Sequence, residues 1–159
     1  FTNIISYKWF DLGLTFTYSL GGYSFDKAGT MIETDGSKEK SYNLPVYALD
    51  RWQKPGDRTD VPRFVFGDGS AANNASTRFL MNGRYLKIRT MSLGYTLPKR
   101  ITDMAHLGSA RVFMTADNLY TFCAKNFRGF DPAGIGANGI QWWNYPTPRN
   151  IMFGVTIGF

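Results

Sequence analysis

The sequence contains only one cysteine, Cys123, and one histidine, His106, among its 159 residues. A disulfide needs two cysteines, so no disulfide framework can form within the chain. The two residues are well separated in the sequence, and no cluster with the spacing of metal ligands and no catalytic Cys–His pair is evident. The sequence therefore predicts no metal site, no cofactor and no thiol active site, and His106 is interpreted as a polar residue in a short turn.

Long hydrophobic runs and paired carboxylates are also missing. No stretch of 18 apolar residues occurs, so the sequence predicts no membrane-spanning helix. The 12 acidic residues are scattered without the paired spacing that glycosidase chemistry would need. The chain begins with Phe1 and has no charged-then-apolar leader, which indicates either a removed signal or a piece of a longer protein. Because paired carboxylates, a metal-ligand cluster and a Cys–His pair are all missing from the sequence, we predict a protein that is not an enzyme.

Aromatic residues and positive charge are abundant. Aromatics make up 16% of the chain, which suits both β-strands and the aromatic girdles of membrane barrels. The net charge of +6 would allow a nucleic acid or an acidic surface as partner, but a basic solvated surface explains it equally well. A faint RNA-binding pattern at Arg128–Phe130 is broken by Asp131 and Pro132, so we expect no nucleic-acid partner.

The last ten residues, NIMFGVTIGF, alternate strictly between apolar and small or mildly polar residues. Strands of soluble proteins usually have about 5–6 residues, whereas a strand that crosses a bilayer needs about 9–11. Phe159 is aromatic and suits a membrane interface. We therefore predict a transmembrane β-strand over Asn150–Phe159, with Phe159 as an anchor at its end.

Four further segments show the same alternation. The pattern predicts strands in FTNIISYKWF, DLGLTFTYSLGGYSF, GRYLKIRTMSLGYTLP and ARVFMTADNLYTF, the first ending in a tight turn near Lys8–Phe10. In the third segment the apolar residues change from even positions (Leu86, Ile88) to odd positions (Leu93, Tyr95, Leu97), which predicts a β-bulge near Thr90–Met91. With the C-terminal segment, the sequence predicts five antiparallel strands.

The connections between these strands alternate between short and long. Residues 27–83 and 123–148 are rich in Gly, Asp, Asn, Lys and Pro and are predicted to be two long loops, whereas KRITDMAHLGS is a short connection. Long external loops and short periplasmic turns are typical of outer-membrane barrels, which places the C-terminus at the periplasmic face. Five strands cannot close a barrel, and open edges are not tolerated in lipid. We therefore predict the C-terminal part of a larger transmembrane β-barrel.

Several blocks, in this order, carry a family resemblance over nearly the whole chain. The segments YLKIRTMSLGYTLPKR, ARVFMTADNLYTF, GFDPAG and YPTPRNIMFGVTIGF resemble the C-terminal end of the SusC/RagA family, as do SYKWFDLGLTFTYSLGG and DRWQKPGDRTDVPRF earlier in the chain. These are TonB-dependent outer-membrane transporters of Bacteroidetes. The succession of blocks is specific, whereas any one of them alone would be weak.

The resemblance implies a 22-stranded barrel with an N-terminal plug and a SusD-like surface lipoprotein that hands over glycans or peptides. It also implies energy from the TonB complex through a TonB box, and an assembly step in which the barrel-assembly machinery reads the C-terminus. The sequence from 1 to 159 matches only about the last five strands, without plug or TonB box. Alone, it is expected to form barrel wall and external loops rather than to transport anything.

Two groups of residues are candidates for function. The first group consists of aromatic side chains in the long loops, namely Trp52, Trp142, Trp143 and Tyr145. They could contact the ligand or the lipoprotein lid, or could pack the loops together. The second group consists of basic side chains on polar strand faces, namely Lys87, Arg89 and Arg111. They could line the lumen and tune selectivity, or could be paired with carboxylates such as Asp117.

The sequence also allows two other interpretations. It could be a soluble β-sandwich that binds carbohydrate through loop tryptophans, or a basic nucleic-acid-binding β-domain. The match of GIGANG to the dinucleotide fingerprint is weak, because no helix pattern opens at Gly139. The sequon at Asn74 fits a glycosylation site only by chance in a bacterial protein.

Overall fold

The structure is a computed structural model that describes residues 1–37, 43–70, 72–136 and 138–159. Within them the strands are β1 (Thr2–Tyr7), β2 (Phe10–Ser19), β3 (Tyr23–Asp26), β4 (Leu80–Asn82), β5 (Tyr85–Thr96), β6 (Ser109–Cys123), β7 (Ile140–Gln141) and β8 (Asn150–Gly158). The short helices are α1 (Gly29–Ile32) and α2 (Lys99–Met104), with single 3-10 turns at Val46–Asp50, Thr77–Phe79 and Pro132–Gly134.

The chain divides into two compact units. The sheet unit comprises Phe1–Gly22, Gly83–Gly134 and Tyr145–Phe159, and the loop unit comprises Tyr23–Asn82 and Ile135–Asn144. The sheet unit contains one five-stranded antiparallel sheet in the order β1-β2-β5-β6-β8. The five predicted strands and their antiparallel arrangement are thus confirmed. The last strand ends at Gly158, so Phe159 follows the strand instead of closing it.

The register gives the sheet one apolar and one polar face. Leu12, Leu93, Met114 and Phe153 lie opposite one another across four strands, and the next row on the other face is Gly13, Ser92, Thr115 and Met152. The apolar face is open to its surroundings: 75% of Phe153 and 63% of Val155 is exposed. A sheet that turns uncovered Leu, Phe and Val side chains outward needs an apolar environment on that side.

The change of parity in β5 comes from a β-bulge at Arg89. Ile88 pairs with Phe16 and Thr90 pairs with Thr15, so Arg89 is one extra residue between two neighbouring partners. The prediction of a bulge near Thr90–Met91 was therefore one residue late. Ile88 and Arg89 keep the apolar and polar sides that alternation gives them, and the bulge brings Thr90 to the polar side, because an inserted residue swaps the faces beyond it.

The short connection between β5 and β6 contains α2, which the sequence did not predict. Pro98 precedes the helix and fixes an extended backbone there, and the helix ends when His106 adopts a left-handed conformation with φ of 56°. The Leu107 amide then donates to the Thr102 carbonyl at 2.9 Å. His106 is thus a turn residue, as expected.

The segment 27–83 was predicted to be one long loop, and that prediction was wrong in detail. Its described residues contain α1, β4 and two 3-10 turns. Strand β4 joins β3 and β7 in a three-stranded sheet in the order β4-β3-β7. Residues 38–42 and 71 of this segment, and residue 137 of the segment 123–148, lie outside the described residues. Strands of two to four residues carry too little alternation to be recognised from sequence.

A buried ionic cluster and a small apolar core hold the loop unit together. Arg78 forms an ion pair with Glu33 at 3.0 Å and another with Asp35, and Tyr47 donates to Glu33. Phe79 and Met81 are the most buried large side chains of the described residues. Arg78 is more than 40 residues away from both of its acidic partners, so tertiary contacts rather than local propensity create this unit.

Candidate functional site

A nearly covered ion pair lies on the polar face of the sheet, near the start of β5. The Lys87 ammonium donates to Asp131 Oδ2 at 2.6 Å, and the Thr147 hydroxyl donates to the same oxygen at 3.0 Å. Only 7% of the Lys87 side chain and 11% of the Asp131 side chain is exposed. The Ala133 amide donates to Asp131 Oδ1 at 3.0 Å. One carboxylate therefore ties strand β5, the turn at Pro132–Gly134 and the segment before β8.

The environment of Asp131 favours its charged form. Burial raises the pKa of the carboxyl, but hydrogen bonds from Lys87, the Ala133 amide and Thr147 lower it and prevail, so the pKa lies below the ordinary value of 3.8. Because the pKa of Asp131 is lower in the folded protein than in the unfolded chain, the charged carboxylate stabilises the fold fully at pH values well above the unfolded pKa. This stabilisation is lost as the pH falls through the folded pKa.

A cleft of about 280 Å³ adjoins this ion pair on the polar face. Its lining residues are Thr17, Tyr85, Lys87, Arg89, Asn118, Ala133 and Thr147, all of which belong to the sheet unit. Two of the three predicted lumen-facing basic residues thus meet in one cleft. The lining offers a guanidinium, an ammonium, a phenol, hydroxyls and an amide, which together favour hydrogen-bond acceptors and negative charge.

Arg111, the third predicted basic residue, lies toward the other end of the sheet. Its Nη2 donates to Asp11 at 2.7 Å, across the intervening strand β5. The suggested partner Asp117 was wrong for these cations, because Asp117 accepts a hydrogen bond from Thr90 at 3.0 Å instead. The sequence could not identify Asp11 and Asp131 as partners, since they are 100 and 44 residues away from the cations that they pair with.

The bridge between Arg111 and Asp11 passes directly over Gly94. A Cβ atom at Gly94 would stand 2.6 Å from both Asp11 carboxylate oxygens and still closer to the Arg111 guanidinium. We therefore expect Gly94→Ala to separate the pair. The pair is partly exposed, so the loss should not exceed about 1 kcal/mol. In a double-mutant cycle of thermal unfolding, Gly94→Ala and Asp11→Asn should be non-additive.

Gly13→Ala is the matched control for that cycle. Gly13 lies on the same polar face, and its added methyl group would meet only the Ser92 side chain, whose hydroxyl can rotate away. Its effect should add to that of Asp11→Asn. Additivity of Gly94→Ala with Asp11→Asn would show that the glycine does not serve the ion pair.

The four aromatic candidates are divided between the two units. Trp52, Trp142 and Trp143 belong to the loop unit, whereas Tyr145 belongs to the sheet unit. Trp52 is half-buried and its amide donates to the Val61 carbonyl, while the other three side chains are exposed. The ring contacts found among the described residues do not join any two of them. Phe159 is fully exposed at the end of the chain.

The described residues contain neither a helix suited to crossing a membrane nor a cluster suited to holding a metal ion. None of the helices there has both the length and the apolar character needed to cross a membrane. No group of three or more His, Cys, Asp or Glu side chains is arranged to hold a metal ion in the part of the chain that the structure describes.

Comparison with known proteins identifies relatives along the whole chain. No protein-family model matches the sequence. TonB-dependent receptor P3 of Formosa agariphila is 26% identical, and TonB-dependent receptor P26 of the same organism is 27% identical; each match covers 100% of this chain. The chain spans only 16% of the length of either relative.

Solved structures give the same result for the fold. The RagAB peptide importer, in its closed-closed and its open-open state, matches 97% of this chain with a TM-score of 0.76 and 26% identity. The match covers 16% of that chain. The resemblance to SusC/RagA proteins is thus confirmed, and the five-stranded sheet matches the C-terminal part of a RagA barrel. These relatives are receptors and importers, not enzymes or soluble β-sandwiches.

Proposed function

We propose that this chain forms part of the wall and external loops of an outer-membrane active transporter that imports oligosaccharides or peptides with TonB-derived energy. The observation that carries the proposal is the two-faced sheet. Its uncovered face presents leucine, phenylalanine and valine, whereas its other face carries small polar residues and ion pairs. An outer-membrane barrel needs this division, with lipid outside and a polar lumen inside.

The sheet edges support a larger barrel. Strands β1 and β8 are the outer strands of the five-stranded sheet, each with one neighbouring strand. Open edges are very costly in lipid, because backbone groups there have no water to bond. We propose that β8 pairs with the first strand of the complete barrel. The plug and the TonB box would lie in parts of the protein outside residues 1–159.

The partners follow from this proposal. In the wall of such a barrel the apolar face contacts outer-membrane lipid, and the long connections face outward while the C-terminus lies at the periplasmic side. Trp52, Trp142, Trp143 and Tyr145 would then meet the ligand or a SusD-like lipoprotein, since tryptophan and tyrosine side chains are favoured at interfaces and all of these except the half-buried Trp52 are exposed. The similarity to RagAB supports such a lipoprotein partner. Phe159 would anchor the end and be read by the barrel-assembly machinery.

Transport is tested with the full-length protein in its membrane. We expect it in the outer-membrane fraction, and we expect cells to take up oligosaccharides or peptides only while both the protein and a functional TonB complex are present. Uptake that continues without TonB would contradict the energy source. A protein that fractionates with soluble periplasmic proteins would contradict the membrane assignment.

The isolated 159-residue chain is expected to need detergent. Its two strand edges and its apolar face lack the partners that the complete barrel would supply, and such surfaces associate in water. Size-exclusion chromatography with light scattering should show aggregates in buffer and smaller particles in detergent. A monodisperse monomer that unfolds cooperatively in buffer alone would favour the soluble carbohydrate-binding alternative.

A further inference from the structure

The cleft beside Lys87 contains a cation whose charge nothing in the described structure balances. Lys87 is neutralised by Asp131, which is itself engaged by Thr147 and the Ala133 amide. Arg89 lines the same cleft, is exposed, and has no acidic partner within the described residues. The lining includes no carboxylate. The cleft therefore carries about one net positive charge.

Alternation along β5 explains how Lys87 and Arg89 reach the same cleft. The period of two residues puts Lys87 and Arg89 on the polar face, and Thr90 lies on that face too because Arg89 is the extra residue of the bulge. Bulges commonly redirect a side chain next to a functional site. In a regular strand Thr90 would lie on the apolar face. The bulge puts Met91 on that face instead and leaves Thr90 on the polar face.

Hydrogen-bond donors line the same cleft as the Arg89 guanidinium. The phenol of Tyr85 and the hydroxyl of Thr17 line the cleft, and within the described ranges neither has a hydrogen bond. The Asn118 amide nitrogen is engaged by the Pro148 carbonyl at 3.0 Å, which holds that side chain in place. A planar guanidinium and hydroxyl donors in one cleft match a carboxylate, which can accept two parallel N–H bonds.

We propose that this cleft binds a carboxylate of the imported ligand, with Arg89 as the charged partner and Tyr85 and Thr17 as supporting donors. The inference rests on the proposed transport function. The carboxylate could be the C-terminus of a short peptide or the acid group of a uronate sugar, and both present the same planar anion. The cleft lies at the end of the sheet where the long connections begin, which is the external end of the proposed barrel.

The test compares acids with matched neutral molecules on the full-length protein in detergent. Calorimetry is performed with a tripeptide and its C-terminal amide, and with a galacturonate oligomer and its methyl ester. The protein is expected to bind the acid of at least one pair more tightly than its neutral partner. Arg89→Gln should remove that preference with a loss of about ten- to a hundredfold in affinity, since hydrogen bonds to charged groups are the strong ones. Arg89→Lys should retain part of it.

Arg100→Gln is the matched control, because Arg100 is an exposed arginine of α2 in the same unit, away from the cleft lining. It should leave the preference unchanged. Equal binding of acid and neutral partner, no binding of either acid, or a preference that survives Arg89→Gln would each overturn the inference. If Arg89→Gln lowers only the melting temperature, Arg89 pairs with a carboxylate elsewhere in the protein and the inference is wrong. TonB-dependent uptake that persists in any of these cases would leave the proposed function intact.

Discussion

Val155→Arg is expected to reduce strongly the amount of assembled barrel in the outer membrane, whereas Thr156→Arg should reduce it much less. Val155 lies opposite Val112 on the apolar face, and Thr156 lies opposite Arg111 on the polar face. An arginine that faces lipid costs about 2–4 kcal/mol near the bilayer midplane and less toward the interfaces. The measurement is the heat-modifiable form of the full-length protein in outer-membrane fractions, compared with the total protein.

Thr156→Arg needs a second control, because it would place two arginines directly opposite each other. Like charges at such positions destabilise a sheet by up to about 1 kcal/mol. Met152→Arg avoids this effect, since Met152 lies on the same polar face opposite Thr115. We expect the order of damage to be Val155→Arg, then Thr156→Arg, then Met152→Arg. Greater damage from the two polar-face variants would mean that the faces are reversed, and equal tolerance of all three would mean that β8 is not in a membrane.

Lys87→Met is expected to release the segment around Asp131 from the sheet. The substitution leaves the nearly covered Asp131 carboxylate without its cation. Breaking a buried ion pair in this way costs about 3–5 kcal/mol, and we expect the lower value because 11% of the Asp131 side chain is exposed. The Ala133 amide donates to that carboxylate, so its protection from hydrogen exchange reports the opening directly. Its exchange rate in the full-length protein should rise by about two orders of magnitude or more, since each 1.4 kcal/mol is about a factor of ten.

Two variants separate the ion pair from general effects on the sheet. Lys99→Met removes an exposed lysine of α2 and should not change the exchange of the Ala133 amide. The double variant Lys87→Met, Asp131→Leu removes both charges and should recover part of the lost sheet stability, because an apolar pair carries no uncompensated buried charge. If Lys87→Met leaves the protection of Ala133 unchanged, the turn at Pro132–Gly134 is held by other contacts.

The five-stranded sheet could be predicted from the sequence because its pattern is strong and local. The alternation in β2 and β8 specifies the strands and both faces, and the change of parity in β5 indicated a bulge within one residue of its true position. The separation of charged and apolar rows also placed Lys87 and Arg111 on the polar face. A period of two residues is a property of the backbone, so these features need no knowledge of distant contacts.

The partners of the candidate site residues needed the tertiary structure. Asp131 and Asp11 pair with Lys87 and Arg111 across gaps of 44 and 100 residues, whereas Asp117, which the sequence suggested, bonds to Thr90. Both true pairs depend on register and on close approach. Gly94 lets the guanidinium cross one strand, and the turn after Asp131 brings its carboxylate to β5. Neither feature leaves a periodic signal in the sequence.

Residues 1–159 by themselves determined a set of long amphipathic strands, their two faces and the positions of the connections, because alternating side chains on a pleated backbone encode these locally. Only the tertiary structure decided that Leu80–Asn82 and Ile140–Gln141 pair with the two edges of Tyr23–Asp26 in a small sheet. It also decided that Arg89 has no counter-ion among the described residues while Lys87 is neutralised. The physical reason is the same for both. Short strands and buried ion pairs are stabilised by groups far away in the chain, and the entropy cost of bringing them together is met only when the whole unit forms.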